Sequence, residues 1–213
     1  KKTVVYNFRK NDLKNGGGGG PLTPIFHRLI KSKHRLKLPL IILNIGGVAN
    51  VTGIDADENL YSKDIGPGNC LIDQWIRCNS KMNFDDQGKI STSGKINKII
   101  LSKALKSFKE KNHPKSYDIK DFDFSFVKEL SLEDGAATLI EYTTEILYEH
   151  LKGAEKNIII TGGGRKNKFL VKSIQERSKE KIKLIDDIGI DGDFVESQAF
   201  AYLAIRSYLK LPI

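Results

Sequence analysis

Between Leu43 and Asp73 the chain reads LNIGGVANVTGIDADENLYSKDIGPGNCLID, an order of residue types suited to handling a phosphate. An apolar segment runs into Gly46-Gly47, whose bare backbone can turn tightly and approach an anion, while Asn44 and Asn50 could donate hydrogen bonds to phosphate or to the loop itself. A plain β-hairpin turn accounts for the same letters. Asp64 is more pointed: a carboxylate at a strand end, before Gly66-Pro67-Gly68 and a helix start, stands where a base beside a transferring phosphoryl group should stand. The alternative is an Asp that caps the turn. Asp73 falls within the following helix, where a bond to Asn69 or a neighbouring loop is expected rather than chemistry.

A second glycine motif, ITGGGRKN from Ile160 to Asn167, follows an apolar run and opens a helix. Gly162, Gly163 and Gly164 there could admit a nucleotide's base and sugar against the backbone, with Arg165 and Asn167 beside them; an ordinary strand-to-helix turn is the simpler account of this motif alone. Glu196 starts the last helix and could either favour the helix dipole or reach a ligand hydroxyl. The four histidines show no i, i+4 or HExxH spacing, so no protein metal site is expected, and any divalent ion would be Mg²⁺ arriving with nucleotide phosphates.

The elements that must position these residues follow from periodicity. Thr3 to Phe8 predicts a short buried strand, and Gly16 to Gly20 break regular structure before Pro21 and Pro24 lead into a helix. Strands are expected over Leu38 to Ile45, over Val48 to Ile54, and in a third run ending at Asp64, as a β-meander. From Gly68 a helix places Leu71, Ile72, Trp75 and Ile76 on one face. A further helix around Ile96 to Ala104 is expected to be entered through Ser91, Thr92 and Ser93, and Lys111 to Asp123 to be loop. Ser131 and Asp134 form a variant capping box for a long helix. A strand at Asn157 to Thr161, a helix through Phe169 and Ile174, a strand at Ile182 to Ile185 and a helix from about Asp193 to Tyr208 complete an alternation that argues for an α/β domain with a mixed sheet.

Composition narrows the function class. A chain of 213 residues with 39% hydrophobic content supports one globular core. No long apolar run or basic leader suggests a membrane span or secretory signal, so a cytoplasmic protein is expected. Cys70 and Cys78 are too few and too widely spaced for a zinc or disulfide framework. The net charge of +9 is scattered, without a basic run or an aromatic ladder, which argues against nucleic-acid binding.

Taken in order, NFRKNDLKNGGGGGPLTPIFH, LNIGGVANVT, KDIGPGNCLIDQWI, ITGGGRKN and GIDGDFVESQAFAYLA closely resemble the anhydro-N-acetylmuramic acid kinases, over nearly the whole chain. That resemblance implies an actin-like ATPase (ribonuclease H-like) lobe of the sugar-kinase superfamily. It implies a reaction in which ATP and water convert 1,6-anhydro-N-acetylmuramic acid to N-acetylmuramic acid 6-phosphate, in recycling of cell-wall peptidoglycan. Asp64 matches the family's catalytic aspartate in D-x-G-P-G-N and would take a proton from the attacking water. Asn44, Gly46 and Gly47 look like the second phosphate-binding element; Gly162, Gly163, Gly164 and Asn167 resemble the wall of the adenosine pocket; Glu196 matches an acidic position that could serve the substrate. ATP, Mg²⁺ and the anhydro sugar are the implied ligands, and homodimerisation is left open.

The chain also departs from the family pattern. The GTSxDGxD-like phosphate loop and the SHGQT-like sugar segment of the first lobe do not occur in it. Asn7 stands where Asp is usual, Gly18 and Gly20 where Gln and Ala are usual, and Lys115-Ser116-Tyr117-Asp118 replaces a KSTGR-like pattern. Residues 1–10 are accordingly expected to be a strand left over from a first lobe and residues 11–213 a C-terminal kinase lobe, inactive alone. Another actin-like sugar kinase and a non-catalytic nucleotide- or sugar-sensing module are the rival readings.

Overall fold

The structure, a computed structural model, describes residues 4–14, 16, 19–111, 116–153, 156–178 and 182–212. Eight α-helices and five strands are defined among them. In chain order they are α1 (Phe8–Lys14), α2 (Pro24–Lys33), β1 (Leu40–Ile45), β2 (Val48–Ile54), β3 (Leu60–Pro67), α3 (Cys70–Asn79), α4 (Lys89–Ser93), α5 (Lys98–Glu110), α6 (Leu132–Leu151), β4 (Asn157–Thr161), α7 (Lys168–Arg177), β5 (Ile182–Leu184) and α8 (Val195–Tyr208). Single 3₁₀ turns punctuate the connections.

The strands form one mixed sheet in the order β3-β2-β1-β4-β5. The β1–β2 and β2–β3 pairs are antiparallel, the expected meander, while β1–β4 and β4–β5 are parallel. The two central strands, LIILNI and NIIIT, are apolar almost throughout because both their faces are covered. On one face Leu43, Ile45, Val51 and Ile160 pack under α3 and α6; on the other Leu40, Ile42, Ile54 and Ile159 meet Phe26 and Ile30 of α2 and Val195 and Ala199 of α8. The result is a three-layer α/β unit.

Local sequence accounts for the helix starts. The Ser131 hydroxyl accepts from the Asp134 N–H at 3.1 Å, as the capping pattern predicts. The Asn97 side chain does the same for Ile100 at 3.1 Å, so Asn97 and not the Ser91–Ser93 run caps α5; those residues form their own short helix, α4. The α3–α6 contact is set by Trp75, whose indole N–H donates to the Leu132 carbonyl at 2.8 Å and whose ring fills the space that a side chain at Gly135 would need.

One predicted element is overturned. Val4 to Asn7 lies outside regular secondary structure and Phe8 opens α1, so no strand forms over the described part of the TVVYNF run; Thr3 lies outside the described residues. A strand must pair with a sheet edge, and the described residues of this run pair with neither β3 nor β5. Helix α1 instead rests on the last helix, with the Phe8 and Phe200 rings 5.7 Å apart. Gly17, Gly18 and Lys115 likewise lie outside the described residues.

Helix α2 is tied to the sheet by a buried polar pair. His27, only 1% exposed, has Nδ1 2.8 Å from the Thr52 hydroxyl, and burial holds its pKa near 4 against the usual 6.5. The unfolded chain therefore takes up this proton first. Stability from this site is complete above pH 6.5 and is lost as pH falls toward 4. The loss should approach about 3 kcal/mol at pH 4. Urea unfolding of wild type and His27→Gln across this range should show a much flatter pH dependence in the variant, whereas parallel curves would contradict the assignment.

Candidate active site

Strand pairing brings the polar residues of the sheet into one row. Asp64 on β3 is opposite Asn50 on β2, Asn50 is opposite Asn44 on β1, and Asn44 is opposite Thr161 on β4. Paired residues share a face, and this row continues the face covered by α2 and α8, just beyond its apolar cluster. The side-chain oxygen of Asn50 and the hydroxyl of Thr161 are buried with no hydrogen-bond partner among the described residues. An orphaned buried polar group costs about 1–3 kcal/mol, so these two atoms call for an explanation beyond folding.

The two glycine motifs meet at one end of this row. The Gly46-Gly47 hairpin turn lies against the start of α3: the Gly46 carbonyl accepts from the Asn69 N–H at 2.7 Å, and the Gly47 carbonyl accepts from Gly68 and Cys70 at 3.0 and 3.1 Å. A side chain at Gly68 would run into the Gly46 carbonyl, which explains glycine there. These amides at the start of α3 are thus committed to the hairpin rather than presented to an anion, contrary to a simple helix-terminus phosphate site.

Gly162 ends β4 with φ 82° and ψ 176°, a conformation reserved for glycine. A Cβ there would lie 2.5 Å from Asn44 Oδ1 and 2.6 Å from the Ile45 carbonyl oxygen. Gly164 is pressed against the Ile45 side chain, but Gly163 is open, its nearest neighbour being Asn69 Nδ2 at 3.5 Å. The turn is clamped from beneath by Arg165. Its guanidinium is 6% exposed and donates to Gly162 O at 3.0 Å, Asp186 at 2.7 Å and Asp193 at 2.9 Å. Burial alone would lower the Arg165 pKa, but these hydrogen bonds outweigh it and the net shift is upward. Arg165 is therefore a buttress and is not aimed at a ligand.

The glycine turn separates two clefts. One, about 490 Å³, is lined by Asn69, Asp73, Arg77, Gly163, Lys166 and Asn167. Asp73 is half-buried there, and burial, reinforced by Asp85 and opposed by Arg77, raises its carboxyl to about 6. Its backbone N–H meets the Asn69 carbonyl at 2.8 Å; its carboxylate, against expectation, is part of the cleft wall. Asn167 reaches this cleft as a 7% exposed residue whose Oδ1 caps α7 by accepting from Leu170 at 3.0 Å. The other cleft, about 190 Å³, includes Asn44, Thr161, Gly162, Gly163 and Glu196. Glu196 is exposed, in the first turn of α8.

Asp64 lines neither cleft. It is half-buried on the edge strand, two strands from Asn44, or about 10 Å at ordinary strand spacing. Its Oδ2 accepts from the Ser116 hydroxyl at 2.7 Å and the Tyr117 N–H at 3.0 Å. Two donors on one oxygen fix the plane of the carboxylate. A further hollow, about 530 Å³, lies between α5, α6 and the segment around Tyr117 to Phe126 and shares no lining residue with the glycine turns. Sequence reading passed over Thr161, Thr23 and His27 as site residues. The signal for Thr161 was its place one residue before the glycine turn, but only the register with Asn44 gives it meaning.

With this geometry in hand, known proteins can be compared. The family model described as anhydro-N-acetylmuramic acid kinase matches residues 1–213. The chain belongs to this family. A relative of that name from Pelagibacter ubique is 50% identical over 99% of this chain and 60% of its own length; others from Zymomonas mobilis and Caulobacter vibrioides are 38% and 37% identical over 100% of this chain and 59% and 58% of theirs. The chain thus spans about three-fifths of the length of the curated relatives it matches. Among solved structures, the activator of 2-hydroxyisocaproyl-CoA dehydratase from Clostridium difficile, with ADPNP bound, matches with a TM-score of 0.51 at 16% identity, covering 84% of this chain and 65% of that one. The two share a fold, an α/β unit that here has a mixed five-stranded sheet flanked by helices, in keeping with the α/β lobe that the resemblance implied.

The glycine turn allows a sharp comparison within one triplet. Gly162→Ala, which meets a forbidden φ and two oxygens, should lower stability by about 2–4 kcal/mol. Gly163→Ala should cost less than about 1 kcal/mol, the ordinary price of a surface substitution. Denaturant unfolding of both variants checks this, and equal losses would contradict the account of the turn.

Proposed function

We propose that the protein is an ATP-dependent kinase that hydrolytically opens 1,6-anhydro-N-acetylmuramic acid and phosphorylates O6, giving N-acetylmuramic acid 6-phosphate for peptidoglycan recycling. The observation that carries this reading is the family match over every residue, in a chain whose D-x-G-P-G-N aspartate lies in one polar row with Asn50, Asn44 and Thr161. Residues 11–213 act as the C-terminal lobe, and a first lobe supplies the remaining phosphate and sugar contacts. The setting is the cytoplasm, where ATP is found.

On this reading Asp64 takes a proton from a water whose oxygen bonds to the anomeric carbon. The bond from that carbon to O6 breaks, its electron pair stays on O6, and O6 bonds to the γ-phosphorus as ADP leaves. Ser116 and Tyr117 hold the carboxylate still by donating to Oδ2, which leaves Oδ1 for the water. Asn44, Gly46 and Gly47 stand by the phosphates. The larger cleft, lined by Gly163 and Asn167 on the turn that Gly162 and Gly164 shape, takes the adenosine. Glu196 faces the sugar. The hard oxygens of Asn44 and Asn50 would suit a Mg²⁺ ion bound to the phosphates, which would neutralise their charge. Two lobes closing on ATP would exclude bulk water from the γ-phosphate.

A coupled ADP-release assay on the protein joined to its first lobe tests this. Asp64→Asn should lower kcat by about 10²- to 10⁴-fold with the KM for ATP little changed. The 213-residue chain alone should release no sugar-dependent ADP. Turnover of Asp64→Asn within a few-fold of wild type would overturn the role of Asp64, and a preference for reducing hexoses over the anhydro sugar would favour an ordinary hexose kinase.

A further inference from the structure

The hollow of about 530 Å³ between α5, α6 and the segment around Tyr117 to Phe126 has no part in the reading above, yet it adjoins the residues that hold Asp64. Its floor is aromatic. The Tyr142 ring lies 5.0 Å from that of Phe126 and 6.1 Å from that of Phe108, and the Tyr117 ring lies 5.0 Å from that of Phe122. Tyr142 is 7% exposed, and its hydroxyl has no hydrogen-bond partner among the described residues. Burial raises its pKa, so the hydroxyl stays protonated and is a ready donor for an occupant of the hollow. The volume falls among those of small-molecule pockets, about 300–1,000 Å³.

The charges are sorted by wall. Lys103, Ser107 and Lys111 recur every four residues along α5 and its C-terminal end, so they form one stripe. Asp121 and Asp123 stand on the connecting segment that makes the other wall. Among the described residues no ion pair joins these walls, and Lys103 has no carboxylate partner. The Asp123 carboxyl is lowered chiefly by its hydrogen bond from Ser125, with Lys111 a lesser cause acting at a distance. A net anion would be opposed by the aspartates and a net cation by the lysines. A zwitterion that spans the walls, its apolar body on the aromatic floor, meets opposite charge at each end.

We propose that this hollow is an effector site for a small zwitterion with an apolar body, of the amino-acid or dipeptide class, and that the occupant acts on Asp64 through Tyr117. The link is short. Tyr117 lines the hollow and gives its backbone N–H to Asp64 Oδ2 at 3.0 Å, beside the Ser116 hydroxyl at 2.7 Å. A ligand that packs on Tyr117 in this position favours it over any other by the contacts made only there, and so favours this orientation of the carboxylate. Binding does not depend on the kinase reading. Only its consequence for catalysis does, as a higher kcat when the site is filled.

NMR titration of the chain with L-phenylalanine tests both parts, with 3-phenylpropionate and phenethylamine as probes that each lack one of its charges. L-Phenylalanine should give saturable shifts at Tyr117, Phe122 and Tyr142, and the ¹³C signal of the Asp64 carboxyl should move along the same saturation curve. Each single-charge probe should bind about tenfold more weakly, as expected for one lost polar contact to a ligand. Lys103→Gln and Tyr142→Phe should each weaken L-phenylalanine by a similar factor without lowering the melting temperature, since neither removes a bond made within the described residues. A lower melting temperature in Tyr142→Phe would mean that the hydroxyl is structural and would overturn the site. No saturable shift at millimolar L-phenylalanine, equal affinity for the three probes, or unchanged affinity in either variant would overturn it too. Saturable binding with a motionless Asp64 signal would overturn the link to Asp64. Neither ATP nor sugar enters the experiment, so its failure leaves the kinase reading standing, and failure of the ADP-release assay leaves this site standing.

Discussion

The register of four strands is the constraint on which the site depends. Asp64, Asn50, Asn44 and Thr161 lie in one row only because β3, β2, β1 and β4 pair at those residues, and a slip of one residue would turn each side chain to the opposite face. The register is held by the apolar residues on either side. Ile42 and Leu40 cannot leave the cluster beneath α2 and α8, nor Leu43 and Ile45 the cluster beneath α3 and α6. The hydrophobic core thus fixes a polar row whose members Asn50 and Thr161 oppose folding.

Around this row the fold spends rigidity selectively. The Gly46-Gly47 hairpin is stitched to α3 by three backbone hydrogen bonds, and the Gly162 turn is clamped by Arg165 and by its closeness to Asn44 and Ile45. Both turns are therefore preorganised, with little entropy left to lose when a ligand arrives. Asp64 differs, being on an edge strand and held by Ser116 and Tyr117 from a connecting segment.

Much of this was legible in the sequence. Strands β1, β2 and β4 follow from short apolar runs bounded by turn residues, and α6 from its Ser131 cap and helical repeat, because those signals are local. The misreadings came where the outcome depends on distant partners. The described residues of the TVVYNF run pair with neither edge of the sheet and lead into α1 instead, and Asn97 rather than Ser91 to Ser93 caps α5. At the site, Asp64, Asn44 and the glycines were marked by type and neighbourhood. Arg165, read as a possible neighbour of adenosine, proved to be a buttress, because the aspartates that engage it come 21 and 28 residues later. Thr161 carried almost no local signal; its importance arises from pairing with a strand more than a hundred residues earlier.

The central claim is that water, activated at Asp64, attacks the sugar carbon and not the γ-phosphorus. Single-turnover reaction of the two-lobed protein in ¹⁸O-water, stopped by rapid reduction of the sugar and read by mass spectrometry, tests it directly. The account predicts one ¹⁸O at the former anomeric carbon of the sugar phosphate and none in the phosphoryl group. Label in inorganic phosphate, with the anhydro bridge intact, would contradict it.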